Sequence, residues 1–156
     1  MIYRFKASIH KQKDFLREYE LRGDHTLYDL HEHIQNDLAF APDQMVTFYV
    51  TDAQQKIKKE YGLFDMGNGS MDQQYIETLI ERKETHFLYV FDTFNNRALH
   101  IVFLGADEEA SRKTYPRTTL EKGMPPDQFS DKTDVFDETM GDDYEIENIA
   151  DHFDDE

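Results

Sequence analysis

Gly23-Asp24-His25-Thr26-Leu27-Tyr28-Asp29-Leu30-His31 follows a strand-like run and opens an amphipathic helix. Thr26 is a good N-cap, and Asp29 falls at the third helical position, near the positive end of the helix dipole. Leu27, Leu30, Ile34 and Leu38 then recur at helical spacing as one apolar stripe, and Pro42 opposes continuation beyond Ala41. The stretch thus marks a strand-to-helix junction and tells which side of the helix faces a core.

Outward from that junction the pattern is mostly β. Tyr3, Phe5, Ala7 and Ile9 alternate with Arg4, Lys6, Ser8 and His10, the period of a half-buried strand. A polar stretch at 11–14 allows a hairpin into residues 15–21, where Phe15, Tyr19 and Leu21 share a face. Residues 45–50 read as a third strand. Residues 52–68 fit no single pattern, and the run from Leu63 to Gly69 ends in a Gly-rich turn. A short helix over 72–82 would present Tyr75, Ile76, Leu79 and Ile80. The strongest strand pair is 87–94 with 98–104, around Asn95-Asn96, since Asn tolerates the left-handed geometry of two-residue turns. Both of these strands are apolar on both faces, so they belong centrally, with material packed on each side. The order predicts an α+β fold with one main helix on a mixed sheet, a β-grasp (ubiquitin-like) type, followed by an acidic C-terminal tail.

Charge divides the chain unevenly. The formal net charge is -16, and residues 127–156 hold 13 acidic side chains against Lys132 alone, whereas residues 1–126 carry only -4. The expected division is therefore a domain at 1–126 and a tail at 127–156, solvated and disordered or forming a short docking helix. An acidic chain without a basic stripe repels phosphate backbones, which disfavours nucleic acid as a partner. There is no cysteine, so thiol nucleophiles, thiolate metal sites and disulfides are excluded, and a reducing cytoplasm is the expected location. No signal segment precedes residues 2–6 and no apolar run could span a bilayer, so no membrane partner is expected.

The junction motif Thr26-Leu27-x-Asp29-Leu30-His31 is similar to the helix-opening motif of the pRi-plasmid ORF-three-like family, a bacterial family without an assigned biochemical role. Tyr3-Arg4-Phe5-Lys6, the Asp92 to His100 spacing, Tyr115-Pro116-Arg117 and Gly123-Met124-Pro125-Pro126 resemble it in the same order, over residues 2–129. A subset of similar proteins also shares Asp65-Met66-Gly67 and Leu88-Tyr89-Val90-Phe91-Asp92. Three departures accompany the resemblance. The family's Pro-Pro-Ile-Trp-Arg-Arg is here Lys13-Asp14-Phe15-Leu16-Arg17-Glu18, with one arginine kept; its His-Leu-His is Gln44-Met45-Val46; and its Phe-Gly-Asp-x-Trp-x-His runs from Phe94-Asn95-Asn96 to His100. Of the polar set that the resemblance implies, His31 and His100 remain.

Candidate chemistry is sparse. His31 lies at the margin of the helix stripe, where a half-buried, hydrogen-bonded histidine is the plain reading and a ligand or acid–base role the alternative. His31-Glu32-His33 does not make a metal pair, because residues two apart diverge on a helix and a zincin would need histidine at Gln35. Asp92 is expected to face away from His100 and to pair with Arg97. The 65–72 loop lacks the ligand spacing of an EF-hand, and Lys56-Ile57-Lys58-Lys59 reads as a solvated loop able to hold an acidic segment. In the tail, Tyr144, Ile146, Ile149 and Phe153 punctuate the acid, and the last three share a helical face. The leading expectation is a non-enzymatic binding or adaptor module, with no cofactor, whose tail engages a protein partner. The alternative is a small-ligand binder or enzyme with a cleft near His31 and His100.

Overall fold

In the computed structural model Thr26 caps the helix by a reciprocal pair of bonds. Its hydroxyl accepts the Asp29 amide at 3.2 Å, and the Asp29 carboxylate accepts the Thr26 amide at 2.8 Å. The structure describes residues 1–42, 44–110 and 112–129. Its strands are β1 (Ile2–Ile9), β2 (Gln12–Arg22), β3 (Thr47–Thr51), β4 (Ile57–Gly62), β5 (His86–Asp92), β6 (Arg97–Asp107) and β7 (Arg117–Lys122). The helices are α1 (Leu27–Leu38) and α2 (Ile76–Glu81), the latter preceded by a 3-10 turn at Met71–Gln73. Helix α1 ends where Ala39 turns left-handed at φ 60°, before Pro42 comes into play, and the Phe40 amide reaches back to the Gln35 carbonyl at 2.9 Å.

All seven strands form one sheet in the order β4-β3-β5-β6-β1-β2-β7, and every pairing between them is antiparallel. The fold is α+β, but the expected mixed sheet is corrected. β1 runs against both β2 and β6, so the β-grasp expectation loses the parallel pairing on which it rested. β5 and β6 are third and fourth of seven, central as their two-sided apolar character required.

One face of the sheet carries the main core. The α1 stripe of Leu27, Leu30, Ile34 and Leu38 packs there with Phe5, Tyr19, Phe48, Tyr89 and Leu99, and Ile76 and Leu79 of α2 join it. Leu88, Val90 and Ala98 form a second, smaller cluster on the opposite face, with Tyr49 packed against it. The β2–α1 junction is stitched to α2 as well. The Ile76 and Glu77 amides donate to the His25 and Gly23 carbonyls at 2.8 and 3.1 Å, and Leu27 donates to Gln74 at 3.0 Å. A Cβ on Gly23 would meet Glu77 Oε1 and Tyr3 Cε1 at 2.9 Å, so a larger residue there would have to push the Glu77 and Tyr3 side chains aside.

Three local expectations change. Tyr75 stands 48 % exposed as the residue before α2, because the expected 72–82 helix is split into a 3-10 turn and a shorter helix. Lys58 and Lys59 lie on strand β4 rather than a solvated loop, and Lys59 Nζ meets Glu84 at 2.7 Å. The β5–β6 turn spans Thr93 to Asn96, so Asp92 faces Arg97 and Leu88 faces His100, a register shifted from that of a two-residue turn.

Candidate functional site

His31 and His100, the two candidate cleft residues, lie on opposite faces of the sheet. His31 projects from α1 into the main core, 3 % exposed, with Nδ1 2.8 Å from the Tyr89 hydroxyl. Burial lowers its pKa to about 4, so the ring is neutral at physiological pH. Tyr89 pairs with Leu99, and the next residue, His100, turns to the other side opposite Leu88. There its ring stands 6.3 Å from that of His10. The sheet therefore separates the two imidazoles, and no cleft contains both.

Asp92 and Arg97 form the expected ion pair at 3.0 Å. The guanidinium also lies 5.0 Å over the Phe91 ring and donates to the Gln128 carbonyl at 2.8 Å. Gln128 itself holds both backbone groups of Ala41 through its side-chain amide, so the chain is fastened to the sheet up to this point. In the 65–69 turn the Asp65 carboxylate accepts the Gly67 and Gly69 amides at 2.8 and 2.9 Å, bonds that hold its pKa below the usual carboxylate range. Among the described residues no group of three or more His, Asp or Glu side chains could hold a metal ion.

A buried polar centre joins β2, α1 and β7. Arg17, with no exposed surface, donates from Nε to Asp37 at 3.1 Å and from Nη1 to the Leu16 and Lys122 carbonyls at 3.0 and 2.9 Å. Tyr19 donates to the same Asp37 oxygen at 2.9 Å, and Thr118 donates to the other at 3.2 Å. Because the Thr118 proton is committed to Asp37, His33 Nε2, 2.8 Å away, must be the donor to Thr118. Burial and the Asp37 charge raise the Tyr19 pKa far above the phenol range, and burial lowers that of His33. An aspartate that accepts from three side chains, one of them a guanidinium, is a poor base. This centre is a clasp that fixes helix to sheet. The sequence did hold a signal for it, since Arg17 falls on the same period-two face as Phe15 and Tyr19.

The open surface lies at the β5–β6 turn. Met45, Phe94 and Phe129 are 61 %, 95 % and 59 % exposed, and they line a cavity of about 230 Å³ together with Phe91, Asp92 and Gln128. Grouped exposed apolar side chains of this size mark interaction surfaces. The acidic segment departs from this rim. The expected docking face of Tyr144, Ile146, Ile149 and Phe153 lies outside the described residues.

No helix among the described residues is long and apolar enough to cross a membrane. The chain is similar in fold to the crystal structure of a protein of unknown function from Methanosarcina mazei Go1, with a TM-score of 0.66 and 18 % identity over 80 % of this chain and 71 % of that one. No curated protein matches the chain. The plasmid pRiA4b ORF-3-like description matches residues 1–148, past the last described residue and across the expected boundary at 126. The chain belongs to the plasmid pRiA4b ORF-3-like protein family.

Proposed function

We propose that the protein is a non-enzymatic binding module in which the acidic segment 127–156 and the apolar rim beside it engage a protein partner. The observation that carries this reading is the position of Met45, Phe94 and Phe129, three large exposed apolar side chains around a cavity at the root of that segment. A partner surface with apolar side chains bordered by lysine or arginine would bury the rim and meet the 13 carboxylates of the segment. The separation of His31 from His100 and the commitment of Asp37 to its donors weigh against a catalytic use of these groups. The cysteine-free sequence suits a reducing compartment, a bacterial cytoplasm in this reading.

The test is a paired capture. The full chain and its Met45→Ser/Phe94→Ser/Phe129→Ser variant are immobilised, and a protein retained by the full chain is titrated against both. A loss of tenfold or more in affinity is expected for the variant, with a further loss at high salt. Equal affinity for the two forms would remove the rim from the interface and the reading with it.

A further inference from the structure

Strand β7 is held to the rest of the molecule by polar contacts. Of its six residues only Leu120 is apolar, and that side chain is 37 % exposed and belongs to neither buried cluster. The strand stands last in the sheet and pairs with β2. Arg117 Nε meets Glu20 at 2.8 Å, the Thr119 hydroxyl donates to the Glu18 carbonyl at 3.4 Å, and Arg17 donates to the Lys122 carbonyl at 2.9 Å. None of these contacts buries apolar surface, the term that makes most strands costly to detach.

Thr118 is the link to the helix. Its hydroxyl accepts from His33 Nε2 at 2.8 Å and donates to Asp37 at 3.2 Å, and among the described residues both hydrogen bonds between α1 and β7 run through it. Departure of β7 leaves the helix fastened, because the Arg17 and Tyr19 bonds to Asp37 join β2 to α1 without it. The Arg17 guanidinium then meets water in place of the Lys122 carbonyl. The strand is also tethered at both ends. β6 ends at Asp107, paired with Arg4 at 2.8 Å, and beyond β7 Gln128 is bonded to Ala41 and Arg97. At the exit Gly123, left-handed at φ 82°, runs against the Asp14 carbonyl, where a Cβ has no room.

We propose that β7 is a releasable strap, which leaves β2 as a unit while α1 and the other strands stay folded, and that the His33–Thr118 bond is its acid-sensitive latch. The charged and titratable groups around His33 are Asp29 and Asp37, one turn to either side on α1, Tyr19 and Arg17 from β2, and Glu121, on the same face of β7 as Thr118. Asp37 favours a charged ring, but burial outweighs it and lowers the His33 pKa. Release of β7 bares the ring and moves it back towards the ordinary 6.5, so the open form binds the proton more readily. The closed strap is therefore fully favoured above pH 6.5 and loses ground as pH falls below it, before ordinary carboxylates titrate. Opening frees the outer edge of β2 from Leu16 to Glu20, a row of backbone donors and acceptors able to take a strand from another chain. The strap uses neither the apolar rim nor the acidic segment, so it stands apart from the function proposed above.

Hydrogen exchange on the full chain tests it, with each rate compared to its unstructured-peptide value at the same pH. At pH 7.5 the β7 amides bonded to β2 are expected to be about tenfold or more less protected than those of β1. Between pH 7.5 and 5.5 their protection should fall, by up to about tenfold for a single histidine. His33→Gln should remove that fall, and His31→Gln should leave it in place, since His31 stays buried when the strap opens. Thr118→Val should lower β7 protection by about tenfold at both pH values, the effect of about one net hydrogen bond, with β1 unchanged. Equal protection of β7 and β1 would show that β7 leaves only when the whole sheet unfolds, and would overturn the strap. The latch is overturned if the fall survives His33→Gln, or if Thr118→Val leaves β7 exchange as it was.

Discussion

The two faces of the sheet bury apolar side chains by different means. On the main face α1 and α2 interlock with strands from β4 to β2, and the assembly is fastened at its edge by the Arg17–Asp37 clasp. On the second face three side chains from β5 and β6, with Tyr49 beside them, make a strip one strand pair wide. The first is a core that defines the fold. The second is a satellite cluster, and three side chains contribute far less to stability than the core does.

The largest effect expected from breaking the main face comes from halving the clasp. Asp37→Ala leaves the buried Arg17 guanidinium with only the longer, exposed Glu121 contact at 3.8 Å as counter-charge, and a loss of about 3 kcal/mol is expected in urea unfolding. The double variant Arg17→Met/Asp37→Leu should lose clearly less, because no orphaned charge remains. A double variant as damaged as the single one would show that the clasp acts through shape and not through charge.

Truncation compares the faces directly. Leu30→Ala removes a 1 % exposed side chain from the α1 stripe and should cost about 2–5 kcal/mol. Leu88→Ala on the second face should fall at or below the bottom of that range, because Leu88 packs in a cluster of only three buried side chains. Equal losses would mean that the second face is as tightly packed as the first.

His31 gives the main face a pH signature. Its pKa is about 4 when folded and 6.5 when unfolded, so the unfolded chain binds the proton more readily. Its contribution is complete above pH 6.5 and is lost as pH falls from 6.5 towards 4, by up to about 3 kcal/mol. His31→Gln should flatten the pH dependence of stability across that window relative to the parent protein. A parallel pair of curves would show that carboxylates alone govern the acid limb.

The smallest effect is expected at the cap. Thr26→Ala removes the side-chain half of the capping box and should cost about 1 kcal/mol, with faster amide exchange confined to the first turn of α1. A change reaching the second face would mean that the two faces are coupled through β5 and β6.

Local free energies made part of this architecture legible. The Thr26–Asp29 cap, the α1 stripe, the first hairpin, the central place of β5 and β6 and the Asp92–Arg97 pair all follow from patterns within a few residues of one another. β4 and β7 gave little signal. β7 is an edge strand with four of its six residues exposed, so no apolar alternation marks it. β4 carries Lys58, Lys59 and Glu60 between its buried ends, and that composition resembles a loop. Of the candidate surface, Met45 and Phe94 looked like ordinary strand residues, since nothing local shows that a strand ends before it reaches the core.

The sequence by itself determined an α+β domain with one capped helix, its membership of a family, and a chain whose acid is concentrated at one end. Only the tertiary structure decided that the sheet is antiparallel throughout, that His31 and His100 are divided by it, and that Arg17 finds Asp37. Each of those depends on strand register and order, where a shift of one residue exchanges the two faces, and register is set by contacts between segments far apart in the chain.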